Sequence, residues 1–280
     1  MSSRLQKSAK ATDPAEKPGP HRGVLDLAHA ERNFTLRRYY PSRPLAAVIE
    51  HFWTVHWDLR GRPDYTAEVL PHPAVNIAFT RERGWVTGVT TAKYTYHLTG
   101  AGDVLGIQFR PGAFRSYLGR SVASITDKTL PVTDIFPSAG DTFRTQLLDR
   151  TTDADIVAAA EALLTTRLPA ADPHVELVNQ IIARVRDDRE LTSVATLARH
   201  FDRPERTLQH LFSTYVGVGL KWIIRRYRIM EAAERVEAGD ESWTNLAHDL
   251  GYSDQAHFTN DFTKLVGRAP TDHARLVARR

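Results

Sequence analysis

From residue 34 to about 110 the apolar side chains come in short runs broken by Gly and Pro: WTVHWDL, AVNIAFT, GWVTGVTT, KYTYHLTG and VLGIQFRPG. Thr, Val, Tyr, Phe and Trp at that density predict short strands forming a small sheet or barrel. Ahead of most of them Leu45, Val48, Ile49 and Phe52 recur at three- and four-residue intervals, which predicts a helix over 45–52. After the strands Phe114, Tyr117 and Leu118 predict a short helix, and helical spacing continues through 141–149 and 153–167. LPAADP at 168–173 then breaks the pattern with two prolines and small residues, as a domain boundary does. Everything beyond it reads as helix.

The division expected is a flexible tail over 1–24, a β-rich domain over 25–135, a helical connector over 136–172 and an all-α domain over 173–280. The fold class is therefore α+β. The first twenty-two residues mix Lys, Ser, Ala, Pro and Gly with almost no large apolar group, too little to offset the entropy of ordering. The full chain of 280 residues exceeds the ~100–200 of one domain, in keeping with two units and a tail.

The last hundred residues contain an internal repeat. Leu197-Ala198 recurs as Leu246-Ala247 at an offset of 49, and Leu208, Phe212, Val216 and Gly217 recur as Phe258, Phe262, Val266 and Gly267 at an offset of 50. Each copy predicts a short helix (192–200, 242–250), a tight connection (201–203, 251–253) and a second helix (about 204–214, 254–265). Leu208, Leu211 and Phe212 share one face of the first copy's second helix, and Phe258 and Phe262 share the matching face in the other. Two helices joined this closely, the second with a polar face outward, make a helix-turn-helix. Between the copies Trp222, Ile223, Ile224, Tyr227, Ile229, Met230, Ala233 and Val236 cover more than one side of a helix, which predicts a spine packed against both motifs.

At this point the chain resembles a known family. LTSVATLARHFDRPERTLQHLFSTYVGVGLKWI followed by LAHDLGYSDQAHFTNDFTKLVGRAP is similar to the AraC/XylS-type DNA-binding domain, over roughly 177–277. The resemblance implies a sequence-specific DNA-binding transcription regulator with two helix-turn-helix motifs. Their recognition helices are expected about one DNA turn, ~34 Å, apart in successive major grooves of double-stranded DNA. The phrases FWTVHW, VLPHPAVNIAF, GVTT and GIQFRPGAF resemble the small β-rich domain that precedes such units in many bacterial regulators. That implies modulation by a small-molecule effector or by self-association as a homodimer, with RNA polymerase as a further candidate partner.

Reading DNA requires side chains that hydrogen-bond base edges and cations that neutralise phosphate. In the first copy Arg206, Gln209 and His210 lie opposite the apolar face, with Arg203 ahead of them and Lys221 further on. Over 199–228 seven cations oppose only Asp202 and Glu205, a net +5. The second copy has Ala256, Thr259 and Asn260 at the positions of Arg206, Gln209 and His210, and over 231–261 eight acids face only Arg235. Weaker, more shape-dependent contact is expected there, with Thr259 and Asn260 at a base edge and Lys264 or Arg268 at phosphate. Pro204 stands where the family usually has a capping Ser, leaving Asp202 as the substitute cap.

In the first domain Trp53, Trp57, His72, Tyr94, Tyr96 and His97 are candidates to line a ligand pocket, aromatics with a few polar groups being the usual lining. The alternative is ordinary core aromatics and surface histidines. His51, His56, His72 and His97 raise a metal site, but no tight pair such as H-x-H occurs, and neither metal nor cofactor is expected. There is no G-x-S-x-G, phosphate-cradling loop or H-E-x-x-H, and an enzyme is not expected. The absence of cysteine excludes disulfides, Cys-ligated zinc, thiol nucleophiles and alkylation sensing through a thiol. No run approaches the ~18 apolar residues of a membrane span and the start lacks a secretory core, so a cytoplasmic, nucleoid-associated protein with no membrane contact is expected. Two rival readings remain: a metal- or sugar-binding barrel enzyme with a helical appendage, and a helix-turn-helix module that binds protein rather than nucleic acid.

Overall fold

The computed structural model describes residues 23–137, 152–188, 190, 191, 193–237, 239 and 243–278. The expected helix at 141–149 and residues 1–22 of the expected tail lie outside them. The last two residues of that tail are built into the fold: Val24 bridges Val69, and the carbonyl of Gly23 accepts from Leu70 N at 2.6 Å.

Helix α1 (Leu27–Ala30) leads into strands β1 (Thr35–Tyr39), β2 (Ile49–Asp58), β3 (Tyr65–Val69), β4 (Asn76–Phe79), β5 (Gly84–Thr87), β6 (Tyr94–Leu98) and β7 (Ala101–Phe109). Helix α2 (Arg115–Leu118), strand β8 (Thr129–Pro131) and helix α3 (Asp153–Thr165) follow. Six strands form an antiparallel sheet in the order β1-β2-β7-β4-β5-β8, while β3 and β6 pair separately. The sheet does not close, so the barrel alternative gives way to an open sheet with a two-stranded cover.

The helix expected at 45–52 is absent. Leu45, Val48, Ile49 and Phe52 do share one buried cluster, which is what their spacing reported. Helical hydrogen bonding stops after a turn, at Val48 N to Leu45 O and Ile49 N to Leu45 O, and Ile49 opens β2. A strand with partners on both sides, β1 and β7, satisfies its amides through two ladders, and that outweighs the local helical pattern. A register shift between Ile49 and His51 then changes parity. Ile49 and Phe52 both face the core, and His51, Trp53, Val55 and Trp57 all fall on the other face, against the two-stranded cover.

The core face of the large sheet is closed by Phe114, Val122, Ile125 and by Val157, Ala160 and Leu164 of α3. Helix α3 is anchored at its first residue. Asp153 accepts from Tyr39 Oη and Thr54 Oγ1 at 2.8 Å each, and its other oxygen faces His56 Nε2 at 2.8 Å. The second ring nitrogen of His56 faces Asp103 at 2.6 Å.

The remaining helices are α4 (Pro173–Asp187), α5 (Val194–His200), α6 (Glu205–Tyr215), α7 (Leu220–Glu237), α8 (Trp243–Asp249), α9 (Gln255–Val266) and α10 (Pro270–Ala278). The break at 168–173 marks a helix start, with Asp172 accepting from His174 N and Pro173 at the first helical position. It is not a gap in packing. Leu25, Leu70 and Val89 belong to the same buried cluster as Ile181, Leu208, Ile223 and Phe258, so the β-rich and helical parts share one core.

Burial opposes the charge on Asp153, but the bonds from Tyr39 and Thr54 and the nearby His56 outweigh it and hold its carboxyl below the usual value. Its contribution is therefore complete above the unfolded carboxyl pKa of ~3.9 and is lost as pH falls through the lower folded value. Urea unfolding at pH 7 should show Asp153→Ala less stable by about 2–3 kcal/mol, with the gap from wild type shrinking below about pH 4. An unchanged midpoint at pH 7 would show that the anchor contributes nothing.

Candidate nucleic-acid interface and N-terminal cavity

Both predicted motifs are present, and their turns close in the same way. After α5 the amide of Arg203 bonds Ala198 O at 3.0 Å; after α8 the amide of Tyr252 bonds Ala247 O at 2.9 Å, the same pair shifted by 49 residues. This closure needs a left-handed residue just before the donor. Gly251 supplies it at φ 73° in the second motif and Asp202 at φ 48° in the first. Asp202 is thereby committed to the turn and does not cap α6, whose first residue follows Pro204 with no side-chain cap. Helix α9 is capped by Asp254, which accepts from His257 N at 2.7 Å. The repeat-related Gly217 and Gly267, at φ 93° and 80°, end the two second helices.

On α6 the side chains of Leu208, Leu211 and Phe212 are buried, while Arg206, Gln209 and His210 are exposed, as are Arg203 before the helix and Lys221 on α7. On α9 Phe258 and Phe262 are buried, Asn260 and Lys264 exposed and Thr259 half-buried. The two polar faces are thus set outward from one core.

The positive stretch at 199–228 is smaller at the surface than its sequence suggests. Arg226 is 2% exposed, with Nε donating to Pro71 O at 2.6 Å and the guanidinium over the Tyr227 ring at 4.6 Å. Burial pushes its pKa down. Arg225 bonds Asp261 at 3.2 Å, linking α7 to α9, and Arg228 packs 5.9 Å from the Tyr252 ring. Arg268, expected at phosphate, is held with Lys93 on the Glu68 carboxylate of β3.

Between the large sheet and the β3–β6 cover lies a cavity of about 200 Å³. Trp53, Trp57, His72, Tyr94 and Tyr96 line it, with Trp85 stacked on Tyr96 at 6.3 Å. His97 does not. Tyr94, Tyr96 and Leu98 take the inward positions of β6, and strict alternation turns His97 outward, where Nδ1 meets Thr66 Oγ1 at 3.2 Å. The floor depends on two glycines that no local sequence pattern marks. Trp53 pairs with Gly106 and Trp57 with Gly102, and a Cβ on these glycines would lie 1.7 Å and 2.4 Å from the respective rings. The indoles therefore lie flat across β7. Arg38 and Asn76 also line the cavity, and only strand register brings them there. His51 and His72 line it too, but among the described residues no group of three metal-ligating side chains occurs.

Residues 197–275 match the family described as a helix-turn-helix domain, and residues 37–131 match a domain of unknown function (DUF6597). The C-terminal part is an AraC-type helix-turn-helix domain. The transcriptional activator RhaS of Pectobacterium carotovorum is 36% identical over 75 residues, 27% of either chain. The transcriptional regulatory protein HptR of Staphylococcus aureus is 25% identical over 99 residues, covering 35% of this chain and 39% of that one. The chain thus matches well under half the length of these relatives. ToxT from Vibrio cholerae overlays 88% of this chain and 98% of its own at 12% identity, with a TM-score of 0.39 that is too low to add to the assignment.

The left-handed turn residue gives a direct check of the AraC-type domain. Gly251→Val should destabilise the protein by about 1–2 kcal/mol in thermal or urea unfolding, and Gly251→Asn by clearly less, because Asn tolerates the left-handed region. Equal losses for the two would mean that conformation is not what selects Gly251.

Proposed function

We propose that the chain is a sequence-specific DNA-binding transcription regulator, acting in the cytoplasm on the nucleoid and modulated through its β-rich domain by a small molecule or by self-association. One observation carries this reading: two matched helix-turn-helix motifs turn polar helix faces outward from a shared core, joined by one buried helix. Residues 173–280 are the DNA-binding unit of this reading and 25–135 the regulatory one. RNA polymerase and a second copy of the chain are its further partners. It assigns no catalytic role.

Within the reading Arg206 grips guanine and Gln209 adenine, each through two bonds, while Arg203, His210 and Lys221 hold the phosphates beside them. The second motif contributes Thr259, Asn260 and Lys264. It is the weaker reader, because its exposed face offers one cation and Arg268 is occupied at Glu68. Among the described residues no helix is long and apolar enough to cross a membrane.

The test uses the full chain, since removing the β-rich part would uncover Trp222 and the shared core. Sites selected from fragmented genomic DNA are titrated by fluorescence anisotropy. Arg206→Ala and Gln209→Ala should each weaken specific binding by about 1–3 kcal/mol, and Thr259→Ala by less. Arg203→Ala or Lys221→Ala should reduce the slope of log affinity against log salt by about 0.9. The reverse order among the first three would reassign the stronger reader. Enrichment of no site, with no salt-dependent binding, would favour a protein-interaction module instead.

A further inference from the structure

The cavity and the spine of the DNA-binding domain are joined at two points. Leu70, Pro71 and His72 form part of the cavity wall, and Arg226 of α7 reaches them: Nε donates to Pro71 O at 2.6 Å, and Nη2 lies 3.4 Å from His72 Nδ1. Gly88 and Thr90 form another part, and Trp222 Nε1 donates to the carbonyl of the next residue, Thr91, at 3.3 Å. Trp222 and Arg226 are four residues apart, so both bonds leave one face of α7. The wall segments are stiff. Pro71 and Pro73 flank His72 and fix φ on either side of it, and Thr91 is held by Asp127 through its amide and hydroxyl at 2.6 and 2.8 Å. Leu70 and Val89 sit in the helical core itself. A displacement at the cavity side therefore reaches α7 without a flexible joint to absorb it.

The lining also specifies a class of ligand. Trp53 and Trp57 lie flat over Gly106 and Gly102 and, with Trp85 and Tyr96, offer planar apolar faces. About 200 Å³ is smaller than the ~300–1,000 Å³ of drug-sized sites, which suits a compact molecule of about two fused rings. Arg38 is a lining cation, and among the described lining residues there is no Asp or Glu. Burial lowers the Arg38 pKa, so an anion brought beside it would favour its charged form.

We propose that this cavity binds a flat aromatic molecule carrying one carboxylate-like anionic group, with Arg38 meeting the anion, and that the Leu70–His72 and Gly88–Thr91 segments pass its occupancy to α7 through Arg226 and Trp222. This rests on the regulator reading only for its consequence at DNA. The binding and the transmission are tested without DNA.

The probes are 2-naphthoate and its neutral counterpart 2-naphthamide, titrated into the full chain by calorimetry. Naphthoate should bind about tenfold more tightly, the difference between a charge-assisted and a neutral hydrogen bond. Arg38→Met should abolish the preference and Arg38→Lys should keep part of it. Hydrogen–deuterium exchange with saturating naphthoate should then slow amides in 70–72, in 88–91 and in α7 (Leu220–Glu237). In Arg226→Lys the α7 response should weaken at unchanged naphthoate affinity. Equal affinity for the two probes, or no heat from either, would overturn the ligand class even if DNA binding is intact. Slowed exchange confined to the sheet, with α7 unchanged, would overturn the transmission.

Discussion

Helix α7 cannot exist in water by itself. Ile223, Ile229, Ala232 and Val236 are buried, Trp222 and Arg226 lie buried among them, and Leu220 and Ile224 are buried on a further side. A helix apolar on more than one side must be surrounded by other elements. Three groups enclose this one: α4 and α6 with the first motif, α9 and α10 with the second, and the wall of the N-terminal cavity. Burying α7 sets all three in relation to one another. The outward placement of the two polar helix faces follows from that burial.

The same requirement explains why cations that look like a DNA-facing patch in the sequence are partly internal. Arg225, Arg226 and Arg228 follow one another closely on α7, and each meets a different neighbour: Asp261 on α9, the Pro71 carbonyl and the Tyr252 ring. A buried guanidinium is tolerated where its hydrogen bonds and aromatic contacts replace water. These three arginines orient the assembly, and the surface charge left for a polyanion comes from Arg199, Arg203, Arg206 and Lys221.

Much of the helical half was legible, because a repeat at fixed offset with apolar residues on one face reports a motif regardless of context. The helix expected at 204–214 is Glu205–Tyr215, the residues expected to form a spine all lie within Leu220–Glu237, and the helix expected at 153–167, which packs on the sheet, is Asp153–Thr165. The β-rich half was less legible. A turn and a bulged strand gave Leu45, Val48, Ile49 and Phe52 a helix-like spacing, and only the pairing of β2 with both neighbours distinguishes the cases. Trp53, Trp57, His72, Tyr94 and Tyr96, grouped by their chemistry, all line one cavity, whereas His97, grouped with them, faces outward because composition does not report strand parity. Arg38, Gly102 and Gly106 depend on cross-strand register, which no local pattern carries. A signal was available for Arg226: its helical neighbours at i−4, i−3, i+3 and i+4 are Trp222, Ile223, Ile229 and Met230, so it sits within an apolar face and has to find a partner inside.

Burial of α7 holds the two outward helix faces at one separation before any DNA arrives. The chain has no cysteine, so Ser213→Cys and Thr263→Cys, exposed and repeat-related positions on α6 and α9, can carry two spin labels without background. Pulsed electron resonance on that protein should give one narrow distance distribution near one DNA turn, about 34 Å, with and without a bound duplex. A broad or multimodal distribution in the free protein that narrows only on DNA would contradict the account.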